Sequence, residues 1–180
     1  MVVGKPSKAK QVSIMAVTAA LYAVFFFLSK VVALPSFTIL YLPIILLGVF
    51  PVWFGWGGLI GSLVGALIGG AFVEGLGFLA WIEAVTALII YGLNWLLIPR
   101  RAAEEKTTKN LLLLLAVYAA TLFIGTSYVL WQFTFFGLFS ANDAIVVLLP
   151  TFAVNFIIEA VICPVLLRTL SPKLRNWGFY

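Results

Sequence analysis

The chain has 180 residues, of which 64% are hydrophobic and 9% charged, with a formal net charge of +5 and a mean hydropathy of +1.18. So little polar surface cannot cover a soluble body, which places the exterior in lipid. The positive charge flanks apolar runs and suits anionic headgroups, which excludes nucleic acid as the partner.

All Lys and Arg residues except Lys30 fall into three patches that alternate with long apolar stretches. The patches are Lys5, Lys8 and Lys10, then Arg100, Arg101, Lys106 and Lys109, then Arg168, Lys173 and Arg175. Basic loops stay cytoplasmic, so an even number of crossings must separate the patches. A hydrocarbon core of about 30 Å takes roughly 20 helical residues per crossing. The sequence therefore predicts an all-α integral membrane protein. It is expected to be a compact six-transmembrane-helix bundle, one domain over residues 1–180, with both termini cytoplasmic in a cell membrane.

The first span is predicted at 12–33; its apolar run is too long for a secretory signal and is expected to remain. The second, at 42–53, is short or tilted and contains Pro43 and Pro51, which neighbouring helices must accommodate. Trp53, Phe54 and Trp56 mark an aromatic belt before the third, at 57–72. That span carries Gly57, Gly61, Gly65 and Gly69 every fourth residue, a face on which two backbones approach closely. The partner of this face is either another helix of the bundle or a second subunit. The fourth span, 79–98, stops at Pro99 and Arg100 before a hydrophilic inner loop. The fifth, 111–137, is long enough to tilt, and the sixth, 144–170, contains Pro150 and Pro164, with Asp143 expected as its N-cap.

Function is read from polar groups at membrane depth, which are costly unless they meet a cavity or a partner. Glu83 lies about a turn inside the outer end of the fourth span, next to Trp81. Asn155 and Glu159 are four residues apart and share a face of the sixth. Tyr128, Trp131 and Gln132 gather near the outer end of the fifth, where rings can stack on a planar ligand and an amide can orient it. Glu74, Lys30 and Asp143 mark the outer boundary. Each has a plainer reading: Trp81, Tyr128 and Trp131 as belt anchors, Lys30 snorkelling to headgroups, Asn155 and Glu159 as interhelical hydrogen-bonding groups.

There is no histidine, one cysteine, Cys163, and no GxSxG, HExxH or phosphate-binding glycine loop. The usual catalytic arrangements are therefore missing, and neither an enzyme, a metal site nor a cofactor is expected.

Several segments resemble the substrate-binding S component of energy-coupling-factor (ECF) vitamin transporters. They are the alanine-rich stretch 14–23 (IMAVTAALYA), the stretch 42–48 (LPIILLG) with Gly55 and the glycine ladder, and the stretch 149–155 (LPTFAVN) with Pro164 before Arg168. The resemblance implies capture of a vitamin or related nutrient from outside the cell. It also implies docking through Ala16, Ala20 and Ala23 on a transmembrane coupling subunit that works with two ATPase subunits. The implied pocket takes in Glu74, Trp81, Glu83, Tyr128, Trp131, Gln132 and Asn155, with Glu159 below it on the same face as Asn155. Aromatics with a carboxylate and no outer arginine favour a flat, vitamin-like ring carrying a positive or hydrogen-bond-donating group. A polytopic membrane scaffold and a lipid-modifying membrane enzyme stay open as alternatives.

Overall fold

A computed structural model describes residues 7–31, 40–75 and 77–178, without the side chains of Val31 and Glu74. The described residues form helices α1 (Lys8–Val31), α2 (Pro43–Glu74), α3 (Phe78–Leu97), α4 (Arg100–Glu104), α5 (Thr108–Phe135) and α6 (Ala141–Asn176). Five of them, all but α4, are long and apolar enough to cross a membrane. Large apolar side chains such as Val24, Phe27, Ile145, Leu149, Ile157 and Val161 lie exposed on their outer faces. Such an exterior suits hydrocarbon and not water.

The helix boundaries follow local chemistry. Pro43 opens α2 at a position where its missing N–H costs nothing. Extended backbone at Ile98, directly before Pro99, ends α3. The Thr107 side chain accepts from the Asn110 N–H and caps α5. The cap of α6 is Ser140 and not Asp143: Ser140 accepts from the Asp143 N–H while the Asp143 carboxylate reaches back to the Ser140 N–H. Asp143 is thus the third helical residue of a capping box, a role its separation from Ser140 allows.

The expected second and third spans are joined in α2, which contains no loop. Their boundary is Gly55, whose φ of 47° and ψ of −123° depart from the helix. The chain folds back there. Phe26 packs edge-on against Tyr41, with ring centroids 6.1 Å apart, and its Cβ also lies 3.1 Å from where a Cβ on Gly69 would be. A straight helix from 41 to 69 would put those two neighbours about 40 Å apart. Residues 43–54 and 56–74 are therefore two arms lying side by side.

The second arm runs parallel to α1. Gly57 faces Ile14, Gly61 faces Met15 and Thr18, Gly65 faces Ala19 and Tyr22, and Gly69 faces Phe26. The ladder is thus a contact inside this chain, where missing side chains let the helices close without a hydrophobic drive. The first arm runs beside α6 in the same direction. Tyr41 meets Asn155, Ile45 meets Cys163, and Trp53 donates through Nε1 to Ser171 Oγ at 2.9 Å.

The two ends of the bundle differ in kind. At one, Lys10 donates to the Trp177 and Gly178 carbonyls and Arg175 pairs with Glu104. This end therefore brings together the start of α1, α4 and the end of α6, and with them the described basic patches. At the other end the turns before α3 and after α5 meet, as the Phe78 and Phe136 rings stand 4.3 Å apart.

Candidate functional site at the end opposite the basic patches

Tyr41 precedes the first arm of α2 and is the hub of a polar cluster. Its N–H donates to Asn155 Oδ1 at 2.7 Å, and the Asn155 amide donates in turn to the Thr151 carbonyl at 2.8 Å. The Tyr41 hydroxyl hydrogen-bonds to Tyr22 and lies beside the Glu83 carboxylate. The adjacent Leu42 N–H donates to Ser29 Oγ at 2.8 Å. One residue from the connector thus engages side chains of α1, α3 and α6. Phe26 closes one side with its ring.

Of the sequence-predicted residues, Glu83 and Asn155 are brought together through Tyr41. Trp81 is on α3 but 64% exposed, on the outside of the bundle. Tyr128 accepts from Gln132 Nε2 at 3.0 Å and sits beside Trp131, with rings 6.3 Å apart. This group lies on α5 apart from Tyr41, and its Trp131 lines an open, mainly apolar hollow of about 240 Å³ between α5 and α6 with Ser127, Leu130 and Leu148. The Glu74 side chain lies outside the described residues. Ala16 and Ala20 are exposed, and Ala23 is half-buried. Lys30 places its ammonium 5.3 Å from the Phe26 ring centroid.

Glu159 is fully buried a turn further along α6, among Gly48, Cys163, Asn94 and Tyr118. It belongs to a second polar locus. Pro51 has no N–H, so the Leu47 carbonyl lacks its helical donor; Asn94 supplies one from α3 at 3.1 Å, and its oxygen accepts from Thr121 at 2.9 Å.

Reading the sequence by the cost of ionisable groups missed Tyr22, Tyr41, Ser29 and Asn94. Tyrosine and serine are cheap at membrane depth and draw no attention singly. The signal for Asn94 was present, because a proline inside a span leaves a carbonyl that some buried amide or hydroxyl has to meet.

Among the described residues no group of His, Cys, Asp and Glu side chains could hold a metal ion. Compared with known proteins, the chain matches no family model, no curated sequence and no solved structure, so the site has to be read from its own chemistry.

Proposed function

We propose that this chain is the membrane-embedded capture component of a nutrient-uptake system of the ECF type. In this reading it crosses the membrane six times, the two arms of α2 each counting once, with both termini and the basic end in the cytoplasm. Its cargo is a flat ring with a positive or hydrogen-bond-donating edge, taken from outside. A coupling subunit and two ATPases would drive release inside.

The observation that carries the reading is Tyr41. The Glu83 carboxylate, the Asn155 amide oxygen and the Tyr22 hydroxyl all meet one residue that lies outside the helices. A ligand that displaced Tyr41 would inherit Glu83, Asn155 and Tyr22 as ready partners, with Phe26 as an apolar wall. The end concerned is the one far from the basic patches, as capture from the exterior requires. The open Ala16 and Ala20 face of α1 is left unused by the bundle and suits a second membrane protein.

Mass spectrometry of small molecules that survive purification in mild detergent tests the proposal. A retained aromatic nutrient is the expected result, and Glu83→Gln should weaken its binding by about 1.5–3 kcal/mol through loss of a charged hydrogen bond. No retained molecule, together with no binding from a panel of thiamine, tryptophan, deazapurines and riboflavin, would refute it. A scaffold role has one observation in its favour, namely that Glu83 and Asn155 already have partners within the chain. It predicts that Glu83→Gln lowers stability and that nothing binds.

A further inference from the structure

Glu159 is the buried acid that the cluster around Tyr41 does not use. It is 0% exposed, and neither carboxyl oxygen has a hydrogen bond of ordinary geometry. The groups around it are turned elsewhere. From α3, Asn94 flanks it, but its amide is aligned on the Leu47 carbonyl. From α5, Tyr118 donates to the Gly48 carbonyl at 3.3 Å, and on α6 itself the Cys163 thiol points to the Ile45 carbonyl at 3.5 Å. Tyr118 and Cys163 are the titratable neighbours, both acting as proton donors to backbone oxygens. No Lys or Arg pairs with Glu159 among the described residues.

An ionised carboxylate here would be a charge with no donor and no counter-ion, an arrangement that costs far more than an unpaired neutral acid. Space decides what neutralises it. A Cβ on Gly48 would stand 2.6 Å from Cys163 Sγ and 3.0 Å from Glu159 Oε1. The first arm of α2 and α6 are closed on each other here, leaving no place for a metal cation with its oxygen shell. The ligand that fits is a proton.

We propose that Glu159 is a proton-binding site of the bundle, occupied while residues 43–54 are packed on α6 and emptied only when Gly48 moves away. This goes beyond nutrient capture and does not depend on it. Oxygen ligands for a cation would become available only in the parted state, when the Leu47 and Gly48 carbonyls turn from Asn94 and Tyr118.

The test uses the full chain in lipid nanodiscs with dicyclohexylcarbodiimide, an apolar reagent that adds to protonated carboxyls within membranes. Peptide mass spectrometry should find the adduct on Glu159, with labelling falling as pH rises and unchanged by sodium chloride against choline chloride. Absence of the adduct at every pH, together with absence of a protonated-carboxyl infrared band, would overturn the proposal. So would labelling suppressed by sodium at fixed pH, since a metal ion would then occupy the site. A second measurement does not depend on reagent access. Infrared spectra of the wild-type chain carrying 13C-labelled glutamate should contain a protonated-carboxyl band that shifts in D2O, and Glu159→Gln should lose it. Carboxylate bands alone in the wild-type chain would overturn the assignment even if that variant fails to fold.

Discussion

Replacing the ladder glycines one at a time by alanine should give destabilisation graded by what each new methyl meets. At Gly61 a Cβ would overlap Thr18 Oγ1 and stand 2.6 Å from the Met15 carbonyl oxygen. The threonine can rotate, at the expense of its 2.8 Å bond to the Ile14 carbonyl. The Met15 backbone cannot give way without moving α1. At Gly57 the nearest atom is Ile14 Cγ2 at 3.3 Å, the end of a side chain that yields easily, while at Gly92 nothing lies within 4 Å. Overpacking against backbone costs about 1–3 kcal/mol, and Gly61 should fall at the upper end. Gly92→Ala should be neutral or stabilising by up to about 1 kcal/mol, because alanine is the better helix former. The lone, buried Cys163 provides the assay. Its alkylation by a maleimide in mild detergent reports the open fraction, and about 2–3 kcal/mol corresponds to roughly 30- to 150-fold faster labelling for Gly61→Ala. Gly57→Ala should stay within a fewfold of wild type. Equal rates for Gly61→Ala and Gly92→Ala would refute the parallel packing of α1 on the second arm of α2.

Gly55→Ala tests the fold-back separately, because its Cβ would meet nothing nearer than Trp95 Nε1 at 3.6 Å and only the backbone is strained. A loss of about 1–3 kcal/mol by the same cysteine assay is expected, and no loss would mean that the reversal tolerates ordinary side chains. Asn94→Ala leaves the Leu47 carbonyl without its donor and the Thr121 hydroxyl with only the Tyr118 carbonyl at 3.4 Å, and should cost about 1–3 kcal/mol, with Pro51→Ala partly restoring stability by returning an N–H to Leu47. Ala20→Trp should abolish coupled uptake in cells while leaving ligand binding by the isolated chain unchanged; normal uptake would remove the α1 face as a docking surface.

Composition and charge spacing were enough to show an all-helical membrane protein, because apolar length and basic flanks are additive along the chain and need no tertiary knowledge. The boundary between the second and third expected spans was equally legible. What the pattern could not express was its form: a single glycine takes the place of a loop, since only a residue without Cβ adopts its φ and ψ cheaply. The glycine period announced close packing but not its partner, which depends on Ile14, Thr18, Tyr22 and Phe26 presenting a matching face of α1. At the candidate site, Glu83 and Asn155 stood out as groups that lipid cannot accommodate. Their common partner did not, because Tyr41 bonds to Asn155 through its backbone N–H, and a main-chain donor has no signature in the sequence. Asp143 illustrates the same limit at a helix end, where Ser140 and Asp143 both fit the cap and reciprocal geometry alone assigns the roles.

The first arm of α2 concentrates the polar interactions of the molecule, and its own sequence explains why. Residues 43–54 are apolar apart from Trp53 Nε1, so the arm offers neighbours only its main chain. Pro51 withdraws one N–H from it, and Gly48 removes the side chain that would hold α6 at a distance. Asn94, Tyr118 and Cys163 then reach its carbonyls from three sides, while Trp53 ties its end to Ser171. A short helix secured this way is specified in register by hydrogen bonds and not by apolar fit, because sliding it by one residue would misalign every acceptor at once. Tyr41 just before this arm and Gly48 in its middle meet α6 at Asn155 and Glu159, a turn apart, so one short helix and its entry border both polar loci.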